Sequence, residues 1–225
     1  MGVSLPYMNT YLPYQLLNNH FLLSANRTIF WEEQKALILS DLHIGKSGHF
    51  RKNGIGIPQN MFSEDMQRLM AEIQLYKPTQ LIIVGDLFHS HSNKEHDLFE
   101  KWRNDIAHIA VHLIIGNHDI LKKEWYSKAG ITLHQSFLHL HPFTFTHDIS
   151  IIKNDAGKYY LSGHIHPGIT MRGIGKQSLR LPCFYFNAAY AVLPAFGKFT
   201  GTFCIKPKAG DAVFALAEKS IMQIH

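Results

Sequence analysis

Three short apolar runs, at residues 36–39, 81–84 and 113–115, punctuate the first half of the chain, and each stops at a polar residue or a glycine. Runs this short and this rich in Ile, Leu and Val predict strands buried on both faces. Between them Met66, Leu69, Met70 and Ile73 recur at helical spacing, which predicts an amphipathic helix over residues 63–76 that Pro78 stops. Leu98, Trp102, Ile106 and Ile109 predict a second helix over residues 94–109, and residues 121–128 a short third before Gly130. The second half shows strand-like runs at 143–146, 159–162, 183–186, 201–205 and 213–216, with little helical periodicity. Strand-helix-strand units followed by a strand-rich half predict an α/β fold of two packed sheets flanked by helices, with chemistry where the first strands end.

No repeat or low-complexity linker divides the chain, so the expectation is a loose tail over residues 1–12 and a single domain over residues 13–225. A composition of 46% hydrophobic and 17% charged residues belongs to a globular protein rather than a disordered one. No apolar run approaches the roughly 20 residues that cross a bilayer, and the start lacks the basic and apolar regions of a signal peptide, so a cytoplasmic location without membrane contact is expected. Cys183 and Cys204 form no C-x-x-C pair, which removes the basis for a thiolate zinc site. A net charge of +5 favours an anionic partner. The 16 histidines narrow the reading further, because several stand beside Asp, Asn and Gly at the ends of the strand-like runs.

Asp41-Leu42-His43 places a carboxylate and an imidazole two residues apart, which at an extended strand end would point both to one side. Asp86 follows the next run directly after Gly85, and Gly116-Asn117-His118-Asp119 follows the third. Gly163-His164-Ile165-His166 repeats the two-residue spacing with two imidazoles, and Thr146-His147-Asp148 lies before it. Any one of these motifs is weak; their order is specific.

In that order, across residues 36–167, the chain resembles the calcineurin-like metallophosphoesterases. The resemblance implies a four-layer αββα sandwich of two mixed β-sheets flanked by helices. It also implies one divalent ion held by Asp41, His43 and His166, a second by Asn117, His147 and His164, and Asp86 bridging both. His118 would face the substrate as general acid, with Asp119 holding its ring. Two ions about 4 Å apart activate a shared water and clamp the attacking and leaving oxygens of an in-line displacement at phosphorus. Nitrogen and oxygen ligands suit manganese, iron, zinc, cobalt or nickel, and the resemblance favours manganese.

Gly85-Asp86-Leu87-Phe88-His89 and the Gly116–Asp119 motif are similar to those of the Mre-type repair nucleases. A closer resemblance covers nearly the whole chain. Asp41-Leu42-His43-Ile44-Gly45-Lys46, His49-Phe50-Arg51, Arg180-Leu181-Pro182-Cys183-Phe184 and residues 193–201 resemble the ligase-associated DNA damage response endonuclease (PdeM-like) family. This implies a bacterial metal-dependent phosphodiesterase or endonuclease that acts on DNA, working with a DNA ligase, a helicase and an exonuclease. Lys46, Arg51 and Lys52 after the first motif and Arg172, Lys176 and Arg180 after the last are candidates for backbone phosphates, or else for surface solvation. His89 and His91 are candidates for a phosphate, whereas His134, His139 and His141 are assigned no role. Phe184, Tyr185 and Phe186 would form either a stacking surface or core. The competing readings are a phosphodiesterase for small nucleotides or phosphorylated lipid precursors, and a non-catalytic binding scaffold of the same fold.

Overall fold

A computed structural model describes residues 9–46, 61–89, 94–152, 157–173, 177–198 and 200–225. Two mixed sheets face each other. The first contains β1 (Tyr11–Leu16), β2 (Asn19–Ser24), β3 (Ile29–Trp31), β4 (Ala36–Leu39), β5 (Gln80–Ile83), β6 (Ala110–Ile114) and β7 (Ile131–His134) in sequence order. The pairs from β1 to β4 are antiparallel and those from β4 to β7 parallel. The second contains β8 (Leu138–Leu140), β9 (Phe143–Phe145), β10 (Tyr159–Ser162), β11 (Pro167–Arg172), β12 (Ser178–Phe186), β13 (Tyr190–Val192), β14 (Phe203–Cys204), β15 (Ala212–Ala217) and β16 (Ser220–Gln223). Its order is β14-β11-β12-β13-β10-β9-β8, with β15 on β12 and β16 on β15.

The apolar runs of β4, β5 and β6 feed two cores because successive residues point to opposite faces. Ile38, Ile82 and Ile114 join Phe143, Phe145, Leu161, Phe184 and Phe186 between the sheets. Leu37, Leu39, Leu81, Ile83, Val111 and Leu113 instead meet Met66, Leu69, Ile73, Phe99 and Tyr126, which come from the helices Met61–Tyr76, Lys94–Asp105 and Lys123–Lys128. The α/β class and the pair of mixed sheets agree with the sequence pattern. The three helices pack on the first sheet, and near the outer face of the second the described residues place only the single turn Ile149–Ile151. Among the described residues no helix is long and apolar enough to cross a membrane.

Three local expectations need correction. Tyr11 and Leu12, read as tail, begin β1; Pro13 looks like a breaker but is tolerated because β1 is an edge strand paired with β2 alone in its sheet. The second helix buries His96, Phe99 and Arg103 and leaves Leu98 48% exposed, while Trp102 packs against the core as expected and Ile106 and Ile109 are buried beyond its end. That helix also stops at Asp105, where the buried Arg103 guanidinium donates to the carbonyls of Ile106, Ile109 and Gly130 and so satisfies the chain after the last turn.

Candidate metal centre

The ends of β4, β5, β6, β9 and β10 lead into the five polar motifs, and the pairs β4–β5, β5–β6 and β9–β10 are all parallel. Parallel strands deliver whatever follows them to the same edge of their sheet, where α/β folds gather their chemistry. Here the expected ligands form two groups, Asp41 with His43 and His166, and Asp86 with His147 and His164, each with its ligand atoms within 4.8 Å of one another, and His43 forms a third such group with His89 and His118. His43 Nε2 lies 3.3 Å from His166 Nε2, which is 3.3 Å from Asp41 Oδ1. His164 Nδ1 lies 3.1 Å from His147 Nε2, and Asn117 Oδ1 3.2 Å from that same nitrogen. Asp86 Oδ2 lies between the groups, 3.6 Å from His43 Nε2 and 3.5 Å from His147 Nε2.

The backbone at this mouth is not the extended strand end expected for Asp41 and His43. Asp41 (φ 53°), His43 (φ 50°), Asp86 (φ 50°), His164 (φ 69°) and His166 (φ 49°) all hold left-handed conformations. Each costs an L residue about 1–2 kcal/mol, and such strain persists only where the surroundings over-determine it. The surroundings do so here. The amides of Asp41, His43 and Ile44 donate to the carbonyls of Gly85, Asp86 and Leu87, cross-linking the first two motifs. His164 N donates to Asp41 Oδ2 at 3.1 Å, and the Ser40 hydroxyl lies between Asp41 Oδ2 and the Val84 carbonyl.

Ring orientation follows from the same network. His147 Nδ1 is 3.0 Å from Val84 O and His166 Nδ1 3.3 Å from Thr200 O, so each can donate there and turn Nε2 into the cluster. Such second contacts were not legible in the sequence. The late run 193–201 braces the first motif: Phe196 N and Gly197 N donate to Ser40 O and Asp41 O at 2.8 and 3.1 Å.

Burial pushes His43 down to about 3 despite the nearby Asp41 and Asp86, so its ring is neutral. His147 is equally buried, but its hydrogen bond to Asp86 and the charges of Asp41 and Asp86 overcome that and raise it to about 9. Asp86 resists its own burial, and contacts with His147, the His118 amide and His43 hold it down to about 2. A pocket that holds a proton on His147 beside the carboxylates of Asp41 and Asp86 is one a divalent cation can enter by displacing that proton.

His118 is half-buried, stacks on His89 with centroids 4.5 Å apart and meets His43 edge-on at 5.2 Å. His89 Nδ1 is also 3.2 Å from His43 Nδ1. Asp119 does not take the His118 ring as expected. Its Oδ1 accepts from Phe88 N at 3.1 Å and its Oδ2 from Gly116 N at 2.9 Å, so it pins the turn that carries Asn117 and His118. Lys46 adjoins the cluster: burial lowers its pKa, and the charges of Asp86 and Asp41 oppose that. Arg172 and Arg180 are exposed on the β11–β12 hairpin and make no contact with the ligand groups among the described residues. Arg51, Lys52, His91 and Lys176 lie outside the described residues.

Two facing sheets that bring Asp, His and Asn side chains to one mouth define a metal-dependent phosphoesterase. Residues 35–182 match the calcineurin-like phosphoesterase family, and the chain belongs to it. Its structure is similar to that of the nuclease MPE of Pseudomonas putida, with 28% identity, a TM-score of 0.81, and coverage of 95% of this chain and all (100%) of that one. It is more distantly similar to Yfce, a phosphoesterase from E. coli, with 14% identity, a TM-score of 0.44, and coverage of 84% of this chain and 97% of that one. No curated protein matches the chain in sequence.

Proposed function

We propose that the chain is a two-metal phosphodiesterase that cleaves DNA. Asp41, His43 and His166 would hold one divalent cation, Asn117, His147 and His164 the other, and Asp86 would be shared. The observation that carries the reading is the position of Asp86 Oδ2, within 3.6 Å of an imidazole nitrogen from each group. The donor set fits such ions: carboxylate, amide and imidazole without thiolate suit manganese, and also iron, zinc, cobalt or nickel. When bound, a pair of divalent cations supplies Lewis-acid charge and activates water for in-line displacement at phosphorus.

The chain's own residues would do the rest. His118 is positioned by its amide, which donates to Asp86 Oδ1 at 2.9 Å, and would protonate the leaving oxygen. Asp119 acts through the turn it pins and is a positioning residue. His89, beside His118, and Lys46 would face the phosphate, while Arg51, Arg172 and Arg180 would contact flanking phosphates. A net charge of +5 and the similarity to a nuclease support DNA as the substrate. The PdeM-like resemblance extends the reading to repair in a bacterial cytoplasm alongside a DNA ligase, a helicase and an exonuclease.

The test is cleavage of single-stranded, nicked and duplex DNA beside bis(p-nitrophenyl) phosphate, with manganese and with chelator. Loss of a general acid should lower turnover about 10²–10⁴-fold in His118→Ala while metal content is kept. Turnover of the model diester with every DNA left intact would move the substrate to smaller phosphodiesters.

A further inference from the structure

On β12, side chains alternate between two environments. Phe184 and Phe186 lie in the core between the sheets, as do Ala191 and Leu193. Tyr185 and its cross-strand partner Val192 therefore point to the outer face. That face carries a groove of about 650 Å³, lined by Tyr185, Val192 and Tyr190 and by Phe203, Ile205, Lys206 and Lys208. Ile165, between His164 and His166, lines the same groove, and Phe203 donates its amide to the His166 carbonyl at 2.9 Å. The groove thus borders the segment that carries His164 and His166.

Its chemistry is specific. The Tyr185 and Tyr190 rings stand 6.1 Å apart at 55°, and Tyr185 is anchored by its hydroxyl, which donates to Asp211 Oδ2 at 2.8 Å. Phe203 is 65% exposed on the wall. Lys206 and Lys208 are exposed on the rim. The acid of the lining, Asp211, is already engaged by Tyr185 and by the Lys208 amide.

We infer that this groove holds the unpaired nucleotides flanking the scissile phosphodiester. Bases would stack on Tyr190, Tyr185 and Phe203, and Lys206 and Lys208 would neutralise the phosphates that follow. Aromatic faces with a cationic rim match a single strand, since every unpaired base offers a π-face and every linkage a negative charge. A duplex hides those faces. The groove therefore selects strands by pairing state and not by sequence, and this rests on the nuclease reading above.

The experiment compares wild type with Tyr190→Ala and with the double variant Lys206→Glu/Lys208→Glu. Each is assayed in manganese for cleavage of a short single-stranded oligonucleotide and for turnover of bis(p-nitrophenyl) phosphate, which is too small to span the groove. Binding of the same labelled oligonucleotide is read by fluorescence anisotropy with chelator present. Both variants should lose about 5- to 100-fold in oligonucleotide affinity and in kcat/KM for its cleavage, with diester turnover unchanged. Should wild type cleave no DNA yet bind the oligonucleotide through these residues, the nuclease reading fails and the groove stands. Oligonucleotide binding equal in wild type and variants overturns the inference. So does equal loss with duplex, or a change of oligomeric state in the variants, which would make the occupant a second copy of this chain.

Discussion

Gly116 packs against Asp86 so closely that a β-carbon there would stand 2.2 Å from Asp86 Oδ1 and 2.4 Å from its backbone nitrogen. The backbone atom cannot swing away as a flexible side chain would, so Gly116→Ala must displace the residue that lies between the two ligand groups. The expected result is about a 10- to 100-fold loss of metal affinity, the size seen when ligand-supporting contacts are removed. Manganese titration of diester turnover measures it. A variant with the wild-type metal dependence would contradict the central place given to Asp86.

Metal binding should release a proton. Without metal His147 keeps its proton up to about pH 9, whereas His43, at about 3, has none to give near neutrality. Apparent affinity should therefore rise about tenfold per pH unit between pH 7 and 9, the linkage for one displaced proton. The sign for stability is opposite: in metal-free protein the raised pKa of His147 contributes stability fully present below its unfolded value of 6.5, lost as pH climbs through about 9. Calorimetric titration in buffers of different ionisation enthalpy counts the proton. A count of zero would remove His147 from the site.

Arg27 ties two distant parts of the chain together. Its Nη1 donates to the carbonyls of Ala195 and Gly197 at 3.0 and 3.2 Å, in the segment that braces Ser40 and Asp41. Arg68 adds a bond to Phe196 O and lies over the Phe196 ring at 4.0 Å. Burial, with the neighbouring Arg68, lowers Arg27 to about 10, so it remains charged at neutral pH. Arg27→Met leaves two carbonyls without this donor and should cost about 1–3 kcal/mol in denaturant unfolding. An unchanged midpoint would show the brace to be dispensable.

His112 and His134, on neighbouring strands β6 and β7, face each other with Nδ1 and Nε2 3.1 Å apart. Burial lowers both pKa values, and for His134 the charge of His112 adds to the effect. The unfolded chain then takes up protons near pH 6.5 that the fold refuses, so stability should fall as pH drops below that value. His134→Gln should flatten the decline of Tm between pH 7 and 5 relative to wild type. Parallel slopes would show that the pair carries none of the acid sensitivity.

Period and spacing along the chain were enough to read β4 and β10 to their ends, the helical pattern within Met61–Tyr76, and the polar motifs after the strands. Both kinds of signal are local: a buried strand needs an unbroken apolar run, and a ligand motif needs its donors within a few residues. What sequence could not decide was set by contacts across long separations. The left-handed backbone at Asp41 and Asp86 exists because amides of one motif reach carbonyls of another, Asp41 N to Gly85 O and His43 N to Asp86 O. Asp119 turned from its expected imidazole partner because two backbone amides, of Phe88 and Gly116, surround a buried carboxylate. Tyr185 lies between two core phenylalanines in sequence, and only the pleat of β12 sends it to the opposite face, where the groove opens. The chain by itself determined which residue types are available for chemistry; tertiary packing decided which of them converge, because convergence depends on strand register and on hydrogen bonds between segments distant in sequence.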